Sequence, residues 1–111
     1  MSDTNSVAGI VKILETPRQK TNDGGSPITQ FRAQFPQVRN SLIVNVTFWG
    51  NLALDVANYY KTNDYILIEG YLSLRDKQTF NLTNQVSKKV EVTVLKVYPF
   101  LLGNDRSVSE I

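Results

Sequence analysis

The chain has 111 residues with 12 basic and 10 acidic side chains, a formal charge of +2. That length supports one domain around a single core, and the absence of Cys and His excludes disulfides, thiol nucleophiles, ordinary zinc sites and the commonest general base. No apolar run approaches the ~18 residues that mark a membrane span, and MSDTNS lacks the basic and apolar parts of a signal peptide, so a cytoplasmic or organellar protein is expected.

Residues 1–5 are small and polar and read as a frayed end. Ser6–Leu14, SVAGIVKIL, is a strand in which Gly9 marks a bulge or a close backbone approach. A turn-rich connection follows. Pro17 and Pro27 oppose helix there, and Asp23-Gly24-Gly25 supplies positive-φ positions. Ile28–Phe35 alternates, with Phe31, Ala33 and Phe35 on one face and Gln30, Arg32 and Gln34 on the other. After a polar loop, Pro36–Ser41, the alternation resumes over Leu42–Trp49. Val44, Val46 and Phe48 point to the core; Ile43, Asn45, Thr47 and Trp49 share the wet face.

Asn51 or Gly50 is placed to cap a helix beginning near Leu52. Leu52, Val56, Tyr59 and Tyr60 form its apolar stripe, and at least one of the two tyrosines is core. Asn63-Asp64 suits the turn out of it. Tyr65–Arg75 is a long strand that buries Ile66, Ile68 and Leu72. Tyr71, Ser73 and Arg75 lie on its other face, and Lys77 continues that row. Asp76–Lys89 holds a hairpin whose Phe80 is a stacking aromatic, a partner contact or a cap on the barrel. Val90–Val97 is the last strand, with Val90, Val92 and Val94 inward, Glu91 and Thr93 outward, and Pro99 ending it. The domain therefore spans 1–102, and 103–111 is a short polar tail. Five strands with a helix between the third and fourth describe an all-β chain with one short helix. The pattern suggests an OB-fold, a five-stranded Greek-key barrel, with another small, partly open barrel as its rival.

The stretch Phe48–Tyr71, FWGNLALDVANYYKTNDYILIEGY, carries more than periodicity. Trp49, Gly50, Leu52, Ala53, Val56, Ala57, Tyr59, Lys61, Asp64, Ile66, Ile68, Glu69 and Gly70 stand at fixed spacing. They resemble the WG-x-LA-x-x-VA-x-Y segment, and the strand ending in EG, of bacterial single-stranded-DNA-binding (SSB) proteins. The resemblance covers Asn5–Val97, with Gly25 at the place of a hairpin glycine of that family, and it implies the OB-fold. Three departures stand out. The loop 36–41 is short, and Ile43 and Lys77 occupy places where family members carry stacking tryptophans. The chain stops at DRSVSEI instead of an acidic, Phe-terminated tip. It thus resembles a short, tail-less SSB of the cyanobacterial or algal-plastid kind.

Single strands are held by aromatic faces that stack on bases and by a basic groove along the backbone. The outward residues of the second, third and fourth strands put Trp49 and Tyr71 in the stacking role and Arg32, Arg75 and Lys77 on phosphates. Asn45, Thr47 and Ser73 then reach sugar, phosphate or base edges, and Arg39, Lys88 and Lys89 lie on flanking loops. Arg18 and Lys20, in the first turn, read as too far round. No acidic residue falls within this set, though Glu69 and Asp76 are near neighbours. Packing alternatives stand beside these roles: Trp49 against the helix start, Tyr71 at a barrel rim or subunit contact, the lysines and Arg75 as solvated charges.

The leading expectation is non-catalytic binding of single-stranded DNA, with RNA as the open alternative, in replication, repair or recombination. It implies a homo-oligomer, dimer or tetramer, pairing through the first strand, in the cytoplasm at the nucleoid or in the plastid stroma. Without an acidic tip, replication enzymes are not recruited by that route. No nucleophile–base or metal-ligand constellation can be assembled, so no catalytic residue, metal or cofactor is expected. The second expectation is an SSB-derived interaction or assembly subunit in which Trp49 and Ile43 contact a protein.

Overall fold

The computed structural model describes residues 5–36, 42–77 and 87–103, and at 74–77 and 87–89 the backbone alone. The chain runs β1 (Ser6–Ile13), β2 (Arg18–Thr21), β3 (Pro27–Phe35), β4 (Leu42–Trp49), α1 (Gly50–Tyr59), β5 (Tyr65–Lys77) and β6 (Ser87–Leu101). One sheet carries these strands in the order β1-β5-β6-β4-β3-β2, and β1 also pairs with β3. That pairing, Lys12 with Gln34 and Ile13 with Ala33, closes β1, β3, β4, β6 and β5 into a barrel. β4 and β6 run parallel where the chain crosses over. This is the expected five-stranded OB barrel, with the helix between its third and fourth strands.

Alternation fills the barrel as the sequence implied. Phe31, Ala33, Val44, Val46 and Phe48 are buried, and Val11, Ile13, Ile66, Ile68, Val92 and Val94 complete the lining. Phe31 and Phe48 stack with ring centroids 5.4 Å apart and planes at 22°. Burying side chains of this kind contributes about 1.5–3 kcal/mol each. From α1, Ala53 and Val56 enter the same core. Thr29 lies among them fully buried, and its Oγ1 donates 2.8 Å to the Ala53 carbonyl, which satisfies both groups and fixes the helix on β3. Of the two helix tyrosines, Tyr60 is core and Tyr59 is exposed.

The structure departs from the sequence reading at three places and decides between its two alternatives at a fourth. First, the connection after β1 contains a short strand, β2, paired from Arg18–Gln30 to Thr21–Pro27. All four of its residues are exposed, so no apolar alternation announces it. The hairpin behind it closes on Asn22, whose Oδ1 accepts from the Gly24 and Ser26 amides, and Gly25 takes φ 88°. Secondly, α1 starts at Gly50 with no side-chain cap; Trp49 occupies the cap position. Gly50, at φ 67°, turns strand directly into helix, a conformation that costs a glycine little.

Thirdly, β6 continues through Pro99 to Leu101. Its pairing with β4 involves Asn45–Thr47 and Glu91–Thr93, while β5 follows it to the end. Among the described residues the other edge is thus open, and Pro99 sits at a register shift, where the missing amide is tolerated. Fourthly, Gly9 marks a close approach and no bulge. β1 pairs β5 in unbroken register, while a Cβ on Gly9 would stand 2.7 Å from the Phe35 ring. The expected turn at Asn63-Asp64 forms, with Asn63 at φ 75°. Asp64 is buried, and its carboxylate accepts from the Lys61 amide at 2.8 Å and the Gly103 amide at 3.0 Å. One side chain thereby ties the helix exit to the end of β6.

Candidate nucleic-acid interface

Residues in register on neighbouring strands project from the same face of a sheet. On the outer side of β2, β3 and β4, the ladders assemble the candidate residues into three rows. The first is Lys20, Ile28 and Trp49. The second is Arg18, Gln30 and Thr47, continuing to Thr93 on β6 and Tyr71 on β5. The third is Arg32, Asn45, Glu91 and Ser73. With strands ~4.8 Å apart, Lys20 and Trp49 stand two spacings from each other, or about 10 Å.

Trp49 is the aromatic of this face. It is 46% exposed, so nearly half of the indole is open to solvent. The end of β4 presents it beside the corner at Gly50, and no hydrogen bond commits it to capping the helix. Ile43 and Leu42 are exposed at the other end of β4. Tyr71 is exposed too, but two strands round the barrel. There it lines a shallow groove with Ser6, Ala8 and Leu95, away from Trp49.

The polar candidates divide. Asn45 is half-buried, and Ser73 is exposed beyond Glu91 in the third row. Thr47 is a correction to the sequence reading: at 7% exposure it is covered, and its Oγ1 is engaged at 3.2 Å by the Gln30 Nε2. The backbone of the β5–β6 ribbon sets Arg75 opposite Lys89, Asp76 opposite Lys88 and Lys77 opposite Ser87. The tip of that hairpin with Phe80, and Arg39 in the loop after β3, lie outside the described residues.

Arg32 is already engaged by an acidic partner. Its Nε donates 2.7 Å to Glu15 Oε2, and its backbone amide donates 2.9 Å to Glu15 Oε1. The hydrogen bond from the Arg32 amide, and then that from its side chain, holds the Glu15 carboxyl below its ordinary value. A folded pKa lowered in this way adds stability above the unfolded value, and that increment fades as pH falls through the folded one. Half-exposed as the pair is, the increment is small. Two acidic residues therefore belong to the face, Glu15 beside Arg32 and Glu91 between Asn45 and Ser73, where the sequence reading placed none.

Arg18 and Lys20 are what sequence reasoning missed. Once β2 is a strand, both fall in register with the row of Gln30 and the row of Trp49. The alternation of Arg18 and Lys20 with polar Gln19 and Thr21 carries no hydrophobic signal, so only the ladder to β3 locates them.

Closed strand order, helix position and parallel crossover define an OB barrel of the SSB type. The crystal structure of the SSB domain of a Synechococcus sp. protein superimposes with a TM-score of 0.69 at 24% identity, covering 88% of this chain and 98% of that one. A small single-stranded DNA-binding protein from Streptomyces coelicolor gives a TM-score of 0.72 at 15% identity, over 86% and 94% of the two chains. No protein-family model matches the chain. Among curated proteins, the Trieres chinensis protein named "Putative single-stranded DNA-binding protein ycf41" is 39% identical over 104 residues, 90% of this chain and 92% of that one. The Pyropia yezoensis protein of the same name is 26% identical over 96 residues, 86% of each chain. The chain belongs to this ycf41 family of SSB-like proteins.

Proposed function

We propose that the protein binds single-stranded DNA without catalysis and with little sequence preference, across the outer face of β2, β3 and β4. Trp49 stacks on a base, and Lys20 in its own row and Arg18 in the next row meet phosphates. The observation that carries this reading is the register of Lys20, Ile28 and Trp49. It sets a cation beside an exposed aromatic, the two devices that single-strand binding needs. Arg75, Lys77, Lys88, Lys89 and Arg39 are further candidate phosphate contacts, and Ser73 adds a polar group in the third row. The names of the algal relatives support the same ligand. Such binding serves replication, repair or recombination, and the ycf designation of those relatives favours the plastid stroma over a bacterial cytoplasm.

The test is a titration of labelled oligo-dT over a range of salt concentrations. Each phosphate contact to a single strand contributes about −0.7 to the slope of log K against log salt. Arg18→Ala with Lys20→Ala should therefore flatten the slope by about 1.4 and weaken binding at every salt concentration. An unchanged slope would remove β2 from the binding path.

We place the protein in a homo-oligomer. β1 is paired to β5 from Ser6 to Lys12, while its pairing to β3 is at Lys12 and Ile13. Its other edge is open from Ser6 to Val11 among the described residues. An open edge is a template for a second copy, and Leu95, Tyr98, Phe100 and Leu101 of β6 are exposed apolar side chains. Light scattering should return a mass of two or four chains, and a monomer at high concentration would contradict this assignment.

A further inference from the structure

Glu15 lies on the face described above without a proposed role in binding, and it is bound to Arg32, a cation of the third row of that face. It lies just past the end of β1, where the β1–β3 ladder finishes with the Leu14 amide donating 3.0 Å to the Arg32 carbonyl. From that position both carboxylate oxygens are used on Arg32, one on its amide and one on its Nε. The amide bond anchors the carboxylate, so it does not depend on the mobile guanidinium for its position. A phosphate approaching Arg32 must then compete with a fixed anion already occupying the Nε edge, one of the edges through which a guanidinium grips an oxyanion.

From this geometry we infer that Glu15 is an internal competitor of phosphate for Arg32, withholding that cation from single-stranded DNA and so attenuating binding. The inference rests on the single-strand reading of the β2-β3-β4 face. Arg32 stands in the third row, opposite Asn45, inside the path that reading assigns. The pair is half-exposed, with side-chain exposures of 55% for Arg32 and 43% for Glu15, so a bound strand can reach it. The alternative role for the same contact is positioning, in which Glu15 holds Arg32 ready for a phosphate. The two roles predict opposite signs.

The experiment compares wild type, Glu15→Gln, Arg32→Ala and the double variant by oligo-dT titration across salt, with urea unfolding as a check on the fold. Withholding predicts that Glu15→Gln tightens binding about three- to tenfold and steepens the salt slope by about 0.7, one added phosphate contact. Arg32→Ala leaves a bare carboxylate on the face and weakens binding. The double variant returns to the wild-type affinity, because removing a neutral pair leaves the local charge as it was. Weaker binding by Glu15→Gln overturns withholding in favour of positioning, and equal binding overturns withholding without supporting positioning. Binding by all four proteins with one affinity and one slope overturns the inference and leaves the single-strand reading standing. Binding by none overturns both.

Discussion

Trp49→Ala is expected to lower the affinity for oligo-dT by about 1–3 kcal/mol, roughly five- to 150-fold, while leaving the unfolding midpoint almost unchanged. The asymmetry follows from where the side chain sits. It is 46% exposed, makes no cap hydrogen bond and belongs to the outer face of β4, so truncation removes less packing than at a core aromatic such as Phe48. Surface substitutions of that kind usually alter stability by no more than about 0.5 kcal/mol. Trp49 is also the lone tryptophan of the chain, and Tyr71 is two strands round the barrel, too far to replace it on the same base. Trp49→Phe should keep much of the affinity, because a phenyl face also stacks. Equal losses of affinity and stability in Trp49→Ala would mean that the indole is structural.

Gly70→Ala should have the opposite signature, a loss of about 3 kcal/mol of stability that removes binding only by removing the fold. At the shift of register between Glu69 and Gly70, β5 pairs Glu69 with Lys96 but Gly70 with Val94, leaving Leu95 as the extra residue. The bulge brings the β6 backbone onto Gly70. A Cβ there would overlap the Thr93 carbonyl oxygen and stand 2.9 Å from Val94 Cα. Backbone held in a ladder cannot step aside, and the domain has only about 5–15 kcal/mol of stability in total. Gly9→Ala is the comparison: its obstacle is the ring of Phe35, a side chain able to shift, so the cost should be smaller. Urea unfolding of the two variants orders them. A Gly70→Ala protein as stable as wild type would show that the bulge is not what requires glycine.

Much of this architecture is legible in the sequence wherever one face of a strand is buried. The alternations Phe31-Ala33-Phe35 and Val44-Val46-Phe48 locate β3 and β4 and their inner faces, because burial on one side fixes register. Trp49 falls on the wet face by the same count. Legibility fails where burial does not discriminate. β2 is exposed throughout and exists because β3 offers it an edge, so Arg18 and Lys20 cannot be placed from composition. Thr47 reads as a wet-face contact, yet Gln30 on β3 engages it and it is covered, just as Thr29 is buried against the Ala53 carbonyl. The Glu15–Arg32 contact joins residues 17 positions apart, a distance at which charge pattern carries no information about pairing. Pro99 reads as a stop, but a strand with one open edge can carry a proline through.

The most direct measurement of the central claim is the intrinsic fluorescence of Trp49 during titration with oligo-dT at low and moderate salt. The account predicts a solvent-shifted emission in the free protein, saturable quenching on binding as the indole stacks, and weakening as salt rises. A blue-shifted emission with no quenching by oligo-dT would contradict it, because a buried indole cannot be the platform on which a single strand is held.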